Sequence, residues 1–120
     1  MRDTTQNTNS IKITTSKPHC QKFTKTKISK IPQIEQLLAE SEEEYQLIFK
    51  RCFHQKIICL AGNPRGLIAL HLACTKSKYV AYDTTGLDPL GVEMLERYIA
   101  QKSKKGWVFL YFTFLIYEDN

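Results

Sequence analysis

The sequence of 120 residues predicts an α/β fold, in which a small, mostly parallel sheet is flanked by helices and preceded by a disordered N-terminal arm. Three observations predict it. Apolar residues recur at three- and four-residue steps in several segments, which is typical of amphipathic helices. Two apolar runs without alternation follow such segments, as strands of parallel sheets do. The first thirty residues hold few large apolar side chains, so they cannot contribute much to a core.

The arm, residues 1–30, carries seven basic residues against one acid, whereas residues 31–120 carry ten against eleven. The net charge of +5 therefore comes from the arm. Because it is rich in Thr, Ser, Lys, Asn and Gln, it cannot repay the entropy of ordering. We expect a disordered basic arm that attracts nucleic acid or an anionic surface, and a partial α/β domain over residues 31–120.

No targeting or transmembrane segment is predicted. The N-terminus lacks the apolar stretch of a signal peptide, and the longest apolar run, Trp107–Tyr117, is shorter than the roughly 20 residues of a spanning helix. We expect a cytoplasmic chain that can associate with a membrane through a partner. The cysteines and histidines show no zinc-ligand spacing, so we expect reduced thiols and no structural zinc.

Helices are predicted in four places. The segment from Ile34 to Phe53 has helical spacing with a break near Ser41, and helical spacing resumes over 67–74 and 92–102. Residues 61–66 are predicted to be a loop, because they contain two glycines and a proline.

Two to three strands are predicted: one between the last two helices, one after the last helix, and residues 56–60 as either a third short strand or the last apolar turn before a loop. Residues 78–82 form a short run that ends at Asp83, and 107–117 form a long, continuously apolar run. Because the second run is apolar on both faces, we expect a strand buried on both sides. If the rest of its sheet is missing, the strand presents an apolar edge that another chain can pair with.

Three short pieces follow one another in the second half: Leu60–Leu67 (LAGNPRGL), Tyr79–Asp83 (YVAYD) and Gly86–Pro89 (GLDP). Their order and spacing resemble the C-terminal half of an ATP-binding cassette (ABC) ATPase domain. In that family a signature motif opens a helix, an apolar strand ends on the Walker B aspartate, and a D-loop follows. The resemblance covers about residues 60–118.

The resemblance implies a role for each piece. The signature-like residues would face ATP bound on an opposite subunit, Asp83 would hold Mg²⁺, and Asp88 of the D-loop-like turn would contact that partner domain. The signature-like residues are Leu60, Ala61, Gly62, Asn63 and Arg65, and the D-loop-like residues are Gly86, Leu87 and Asp88.

The sequence also departs from the family. None of the 120 residues forms a Walker A motif, Ala61 replaces the signature serine, and Thr84 stands where the family has a glutamate that polarises water. Phe114 takes the place of the histidine after the last strand. Because Thr and Phe cannot act as general base or phosphate sensor, we expect a degenerate, truncated domain without catalytic residues. ATP and Mg²⁺ would bind only with a partner domain, and a protein partner would complete the sheet.

Two other functions are compatible with the sequence. The run from Ile57 to Leu67 can be interpreted as the strand and glycine loop of a shortened S-adenosylmethionine-dependent methyltransferase, with Asp83 as the acid that binds ribose. The second alternative is a small interaction module whose basic arm binds an acidic protein or nucleic acid without chemistry.

Overall fold

The computed structural model describes residues 13–16 and 24–112. In chain order the elements are strand β1 (Thr14–Ser16), a 3-10 turn (Ile28–Lys30), helices α1 (Ile34–Glu40) and α2 (Glu43–Arg51), a second 3-10 turn (Ile57–Cys59), α3 (Gly62–Lys76), β2 (Tyr79–Tyr82), α4 (Pro89–Lys104) and β3 (Val108–Tyr111). The described strands and helices therefore confirm the predicted α/β class.

The three strands form one parallel sheet in the order β1-β2-β3. In its register Thr14 lies opposite Val80, and Val80 lies opposite Phe109. Because side chains alternate along a strand, Val80 and Phe109 share the face that packs on the core. Helix α3 packs on β1 and β2, and α4 packs on α3 and β3.

Helix α3 is the central element. Its residues from Gly66 to Cys74 are buried except Leu72, which is half-buried, and a helix that is apolar nearly all round belongs in a core. The predicted loop at 61–66 is wrong, because α3 begins at Gly62. Pro64 lies in the first turn, where a helix tolerates proline because the backbone N–H there has no intrahelical partner.

The other helices follow the sequence pattern. The predicted break near Ser41 is confirmed, since α1 ends at Glu40 and α2 begins at Glu43. Helix α4 begins at Pro89 behind the N-cap Asp88, a position where proline suits the helix because its φ is already helical. It ends before Gly106, whose φ of 108° favours glycine.

The predicted boundary of the arm at Lys30 needs correction. Thr14–Ser16 pair with β2, and Ile28 is 0% exposed in the core. Residues 13–16 and 24–30 therefore belong to the folded unit. The remaining residues of the predicted arm lie outside the described part of the chain.

The last strand also differs from its prediction. In the described residues it covers Val108–Tyr111, at one edge of the sheet, and residues 113–117 lie outside the described part. Val108 and Leu110 are 54% and 58% exposed, so this strand is not buried on both faces. Val108 and Leu110 lie on the sheet face opposite to Val80 and Phe109.

Candidate functional site

Asp83 directly follows β2, at the carboxyl ends of the parallel strands, and is only 7% exposed. Its Oδ1 accepts a hydrogen bond of 3.0 Å from the backbone N–H of Thr85. The N–H of Leu87 donates to the carbonyl of Thr84 at 3.1 Å, and Gly86 has a φ of 86°. The carboxylate thus shapes a tight turn by bonding to the backbone two residues on, as aspartate often does.

The signature-like residues lie at the start of α3. Leu60 belongs to the core, and Ala61 is the exposed N-cap residue, which has no side chain that could cap the helix. The Nη2 of Arg65 donates to the carbonyl of Leu60 at 2.9 Å. Arg65 therefore turns back onto the segment that enters the helix.

The start of α3 and the loop after Asp83 interlock. The Nδ2 of Asn63 donates to Oδ1 of Asp88 at 2.8 Å, and the backbone N–H of Asp88 donates to Oδ1 of Asn63 at 3.2 Å. Asp88 Oδ1 also accepts the N–H of Gly91 at 2.8 Å. These hydrogen bonds, first the one from Gly91 and then the one from Asn63, lower the pKa of Asp88.

Two glycines of α3 permit this close approach. A Cβ on Gly62 would lie 2.5 Å from the carbonyl oxygen of Gly86, and a Cβ on Gly66 would lie 2.7 Å from Cδ2 of Leu87. The signature-like and D-loop-like pieces therefore meet, as packed surfaces of one chain. We call this contact, between Gly62–Gly66 and Gly86–Asp88, the loop clasp.

The loop clasp involves groups that the predicted nucleotide and partner roles would need. The carbonyl oxygen of Gly86 occupies the space that a Cβ of Gly62 would need, so this side of α3 packs against the chain's own loop. Asp88, predicted to contact a partner domain, is exposed but hydrogen-bonds within its own chain. The nucleotide and partner roles of these residues stay predictions.

The described residues form no cluster of metal ligands. Across residues 13–16 and 24–112 no group of three or more His, Cys, Asp and Glu side chains could hold a metal ion. Mg²⁺ is usually held by one or two carboxylates together with the phosphates of a nucleotide, and Asp83 is the carboxylate that the resemblance assigns to it. The binding of Mg²⁺ and ATP at this position stays a prediction.

A buried ion pair, which the sequence did not predict, lies away from the clasp. Lys102 is buried, its Nζ is 3.1 Å from Oε1 of Glu40, and the ring of Trp107 lies 4.4 Å from it. The exposed Lys105 also contacts Glu40, at 2.9 Å. Helical spacing alone places Lys102 among polar residues of α4, so no local pattern reveals its burial.

Two further titratable groups are buried beside this pair. His71 Nε2 lies 2.8 Å from the carbonyl of Pro32 and its Nδ1 lies 3.4 Å from the hydroxyl of Tyr98. Burial is the main cause that lowers the pKa of His71, and burial raises the pKa of Cys74 to about 12. The thiol is therefore protonated at neutral pH and is a poor nucleophile.

This fold has an aspartate at the end of its middle parallel strand and a glycine turn that leads into the next helix. It is similar to the solved structure of CbiO1 from Clostridium perfringens, described as part of the ABC transporter complex CbiONQ, with a TM-score of 0.56. The two chains are 19% identical, and the match covers 89% of this chain and 48% of that one. The chain thus spans about half the length of that structure.

At this identity the similarity shows the fold and nothing further. No family model matches the sequence, and no curated protein matches it. None of the helices that the structure describes is both long and apolar enough to cross a bilayer.

Proposed function

We propose that the chain is a degenerate, truncated ABC-type nucleotide-binding domain that does not hydrolyse ATP on its own. The observation that carries the proposal is the ABC ATPase-like fold around a sequence with Asp83 but neither a Walker A motif nor a glutamate after Asp83. Phosphoryl transfer depends on groups that position the phosphates and polarise the attacking water, so such a chain lacks the main contributors.

The loop clasp supports this proposal. In the predicted role, the start of α3 faces a phosphate bound by an opposite subunit. Here Gly62 packs against Gly86, and Asn63 and Asp88 are hydrogen-bonded to each other. A nucleotide at this position would have to replace these internal hydrogen bonds, which disfavours binding by the isolated chain. ATP and Mg²⁺ would therefore require a partner domain, with Asp83 as the Mg²⁺ ligand.

Among the described residues β3 lies at one edge of the sheet, and this position indicates how a protein partner would complete the domain. The N–H groups of Val108 and Phe112 donate to carbonyls on the β2 side, at 2.7 and 3.1 Å. Because parallel strands bond to their two neighbours with alternate residues, the backbone groups of Phe109 and Tyr111 face the other way. Pairing there would add a strand to the sheet. Such a partner would place the chain in the cytoplasm, at a membrane if the partner is a transporter.

The decisive experiment is an ATPase assay on the purified chain beside two variants, Asp83→Asn and Glu93→Gln. Glu93 is an exposed carboxylate of α4 outside the loop clasp, so its variant is a matched control for loss of one charge. We expect the same background phosphate release from all three proteins. Turnover that Asp83→Asn abolishes and Glu93→Gln preserves would show that the chain is an autonomous ATPase.

Binding is tested separately by ¹H–¹⁵N correlation spectra with and without Mg-ATP. We expect the amide signals of Gly62, Asp83 and Asp88 to stay in place for the isolated chain. Shifts confined to these residues would show that nucleotide opens the loop clasp without a partner, and would contradict the proposal.

A further inference from the structure

A cationic surface lies away from the loop clasp, where two segments of the chain meet. It is formed by the exposed side chains of Lys25, Lys27, Lys30, Lys50, Arg51, His54 and Lys56, and we call it the cationic patch. Its residues come from the segment before α1, from the last turn of α2 and from the segment that follows α2. Three lysines from the end of the predicted basic arm, Lys25, Lys27 and Lys30, belong to it.

The backbone holds the two segments in a fixed register. The N–H of Ile28 donates to the carbonyl of Gln55, and the N–H of Ile57 donates to the carbonyl of Thr26, both at 2.9 Å. Ile28 and Ile57 are both fully buried in the core. The backbone that carries the patch is therefore held in place by the core, unlike the backbone of a polar tail.

This register places two lysines face to face. Lys27 and Lys56 form an antiparallel bridge, and the two backbone hydrogen bonds lie on either side of it, which defines a non-hydrogen-bonded pair. In such pairs the Cα atoms are about 4.5 Å apart and the side chains leave from the same face. Like charges directly opposite each other are destabilising, so this pair favours a bound anion that relieves the repulsion.

The described acids do not pair with the patch. The sequence has no Asp or Glu between Asp3 and Glu35, and none between Glu44 and Asp83. Among the described residues, every ion pair involves Arg97, Lys102 or Lys105. The lysines and the arginine of the patch therefore have no acidic partner within residues 13–16 and 24–112.

Aliphatic side chains accompany these cations. Leu47 is 55% exposed and lies three and four residues before Lys50 and Arg51, hence on the same helix face. Ile58, two residues after Lys56, is 54% exposed. Proteins that bind single-stranded nucleic acid stack bases on exposed aromatic rings, whereas cations interleaved with aliphatic groups suit a bilayer surface, where the cations meet phosphates and the aliphatic groups enter the interface.

We propose that the cationic patch docks on a bilayer that contains anionic phospholipid, with Ile58 inserted at the interface. This function needs no nucleotide and no partner domain, so it does not depend on the function proposed above. It also differs from membrane attachment through a protein, because the lipid contacts the chain directly.

The test is co-sedimentation of the full 120-residue chain with vesicles of phosphatidylcholine, with or without phosphatidylserine. We expect binding only when phosphatidylserine is present, and release as salt is raised, since the attraction is screened. Lys27→Gln should weaken binding about fivefold, the usual contribution of one cation near such a surface. The matched control Lys104→Gln removes an exposed charge outside the patch and should leave binding unchanged.

A second matched pair tests the aliphatic contact. Ile58→Ser should weaken binding at least about threefold, because a half-exposed isoleucine loses its burial at the interface. Leu90→Ser, at a 71% exposed leucine outside the patch, should not. None of the four side chains is buried, and circular dichroism verifies that each variant folds.

Three results would overturn the proposal. The first is equal binding to vesicles with and without phosphatidylserine, or no binding to either. The second is equal vesicle binding by Lys27→Gln and its control Lys104→Gln, or by Ile58→Ser and its control Leu90→Ser. The third is a chain that does not bind the vesicles but binds a single-stranded oligonucleotide, with Lys27→Gln weakening that binding. The patch would then be a nucleic-acid-binding surface.

Discussion

Adding one methyl group at Gly62 tests the loop clasp directly. In Gly62→Ala the new Cβ would lie 2.5 Å from the carbonyl oxygen of Gly86, closer than the 3.0 Å that real Cβ atoms respect. The obstacle is backbone, and Gly86 sits at a φ of 86° in a turn tied to Asp83 and, through Asp88, to Asn63. The loop therefore cannot retreat by a simple side-chain rotation.

The size of the effect comes from two opposing contributions. Alanine is a better helix former than glycine by up to about 1 kcal/mol, whereas forcing a packed loop aside costs about 1–3 kcal/mol. We expect the free energy of unfolding to fall by about 1–2 kcal/mol. Each kcal/mol corresponds to about 4–8 °C in Tm for a domain of 60–100 residues.

Thermal unfolding, followed by far-ultraviolet circular dichroism, measures this change. Gly66→Ala is the matched control, because its Cβ would meet Cδ2 of Leu87 at 2.7 Å, and the end of a leucine side chain can move. Its Tm should fall less than that of Gly62→Ala. An unchanged or higher Tm for Gly62→Ala would refute the reasoning, since the two loops would not be in contact.

Four more substitutions probe buried and capping groups. Asp88→Ala should lower Tm at neutral pH, because α4 loses its N-terminal cap. Since the pKa of Asp88 is lowered in the folded chain, the difference in Tm between the two proteins should vanish in an acid titration as pH falls below about 4. His71 has a lowered folded pKa, so stability should decline as pH falls below about 6.5, and His71→Gln should flatten that decline in urea titrations at each pH. Glu40→Gln leaves Lys102 buried without its counter-ion and should cost about 3 kcal/mol in urea unfolding. Lys102→Met should cost less, and an equal or larger cost would show that the pair itself is the stabilising element.

The helices could be predicted because their causes are local. The break at Ser41 follows from residues within one turn of it, whereas α4 begins at Pro89, three residues before the predicted helix of 92–102. Strand β2 is likewise bounded by its apolar run and by Asp83. Strand β1 is different, because Thr14–Ser16 are polar and gain strand structure only by pairing with β2. No local pattern predicts a partner at that distance.

In the candidate site, too, local features could be predicted from the sequence and long-range contacts could not. The positions of Asp83 after a strand and of Gly86 in a turn follow from the sequence. The hydrogen bonds between Asn63 and Asp88 join residues 25 apart, so they depend on how α3 and α4 pack. A short motif reveals which groups exist, whereas packing decides whether they face a ligand or each other.

The placement of β1 has a consequence for how the molecule folds. Thr14 must reach Val80 across the segment that contains α1, α2 and α3, and closing so long a loop costs more entropy than any helical contact. Non-local pairing of this kind slows folding, so β1 should be the last strand to join the sheet. Until β1 pairs, both edges of the β2–β3 pair are open. The folding chain is then most prone to associate with other copies of itself.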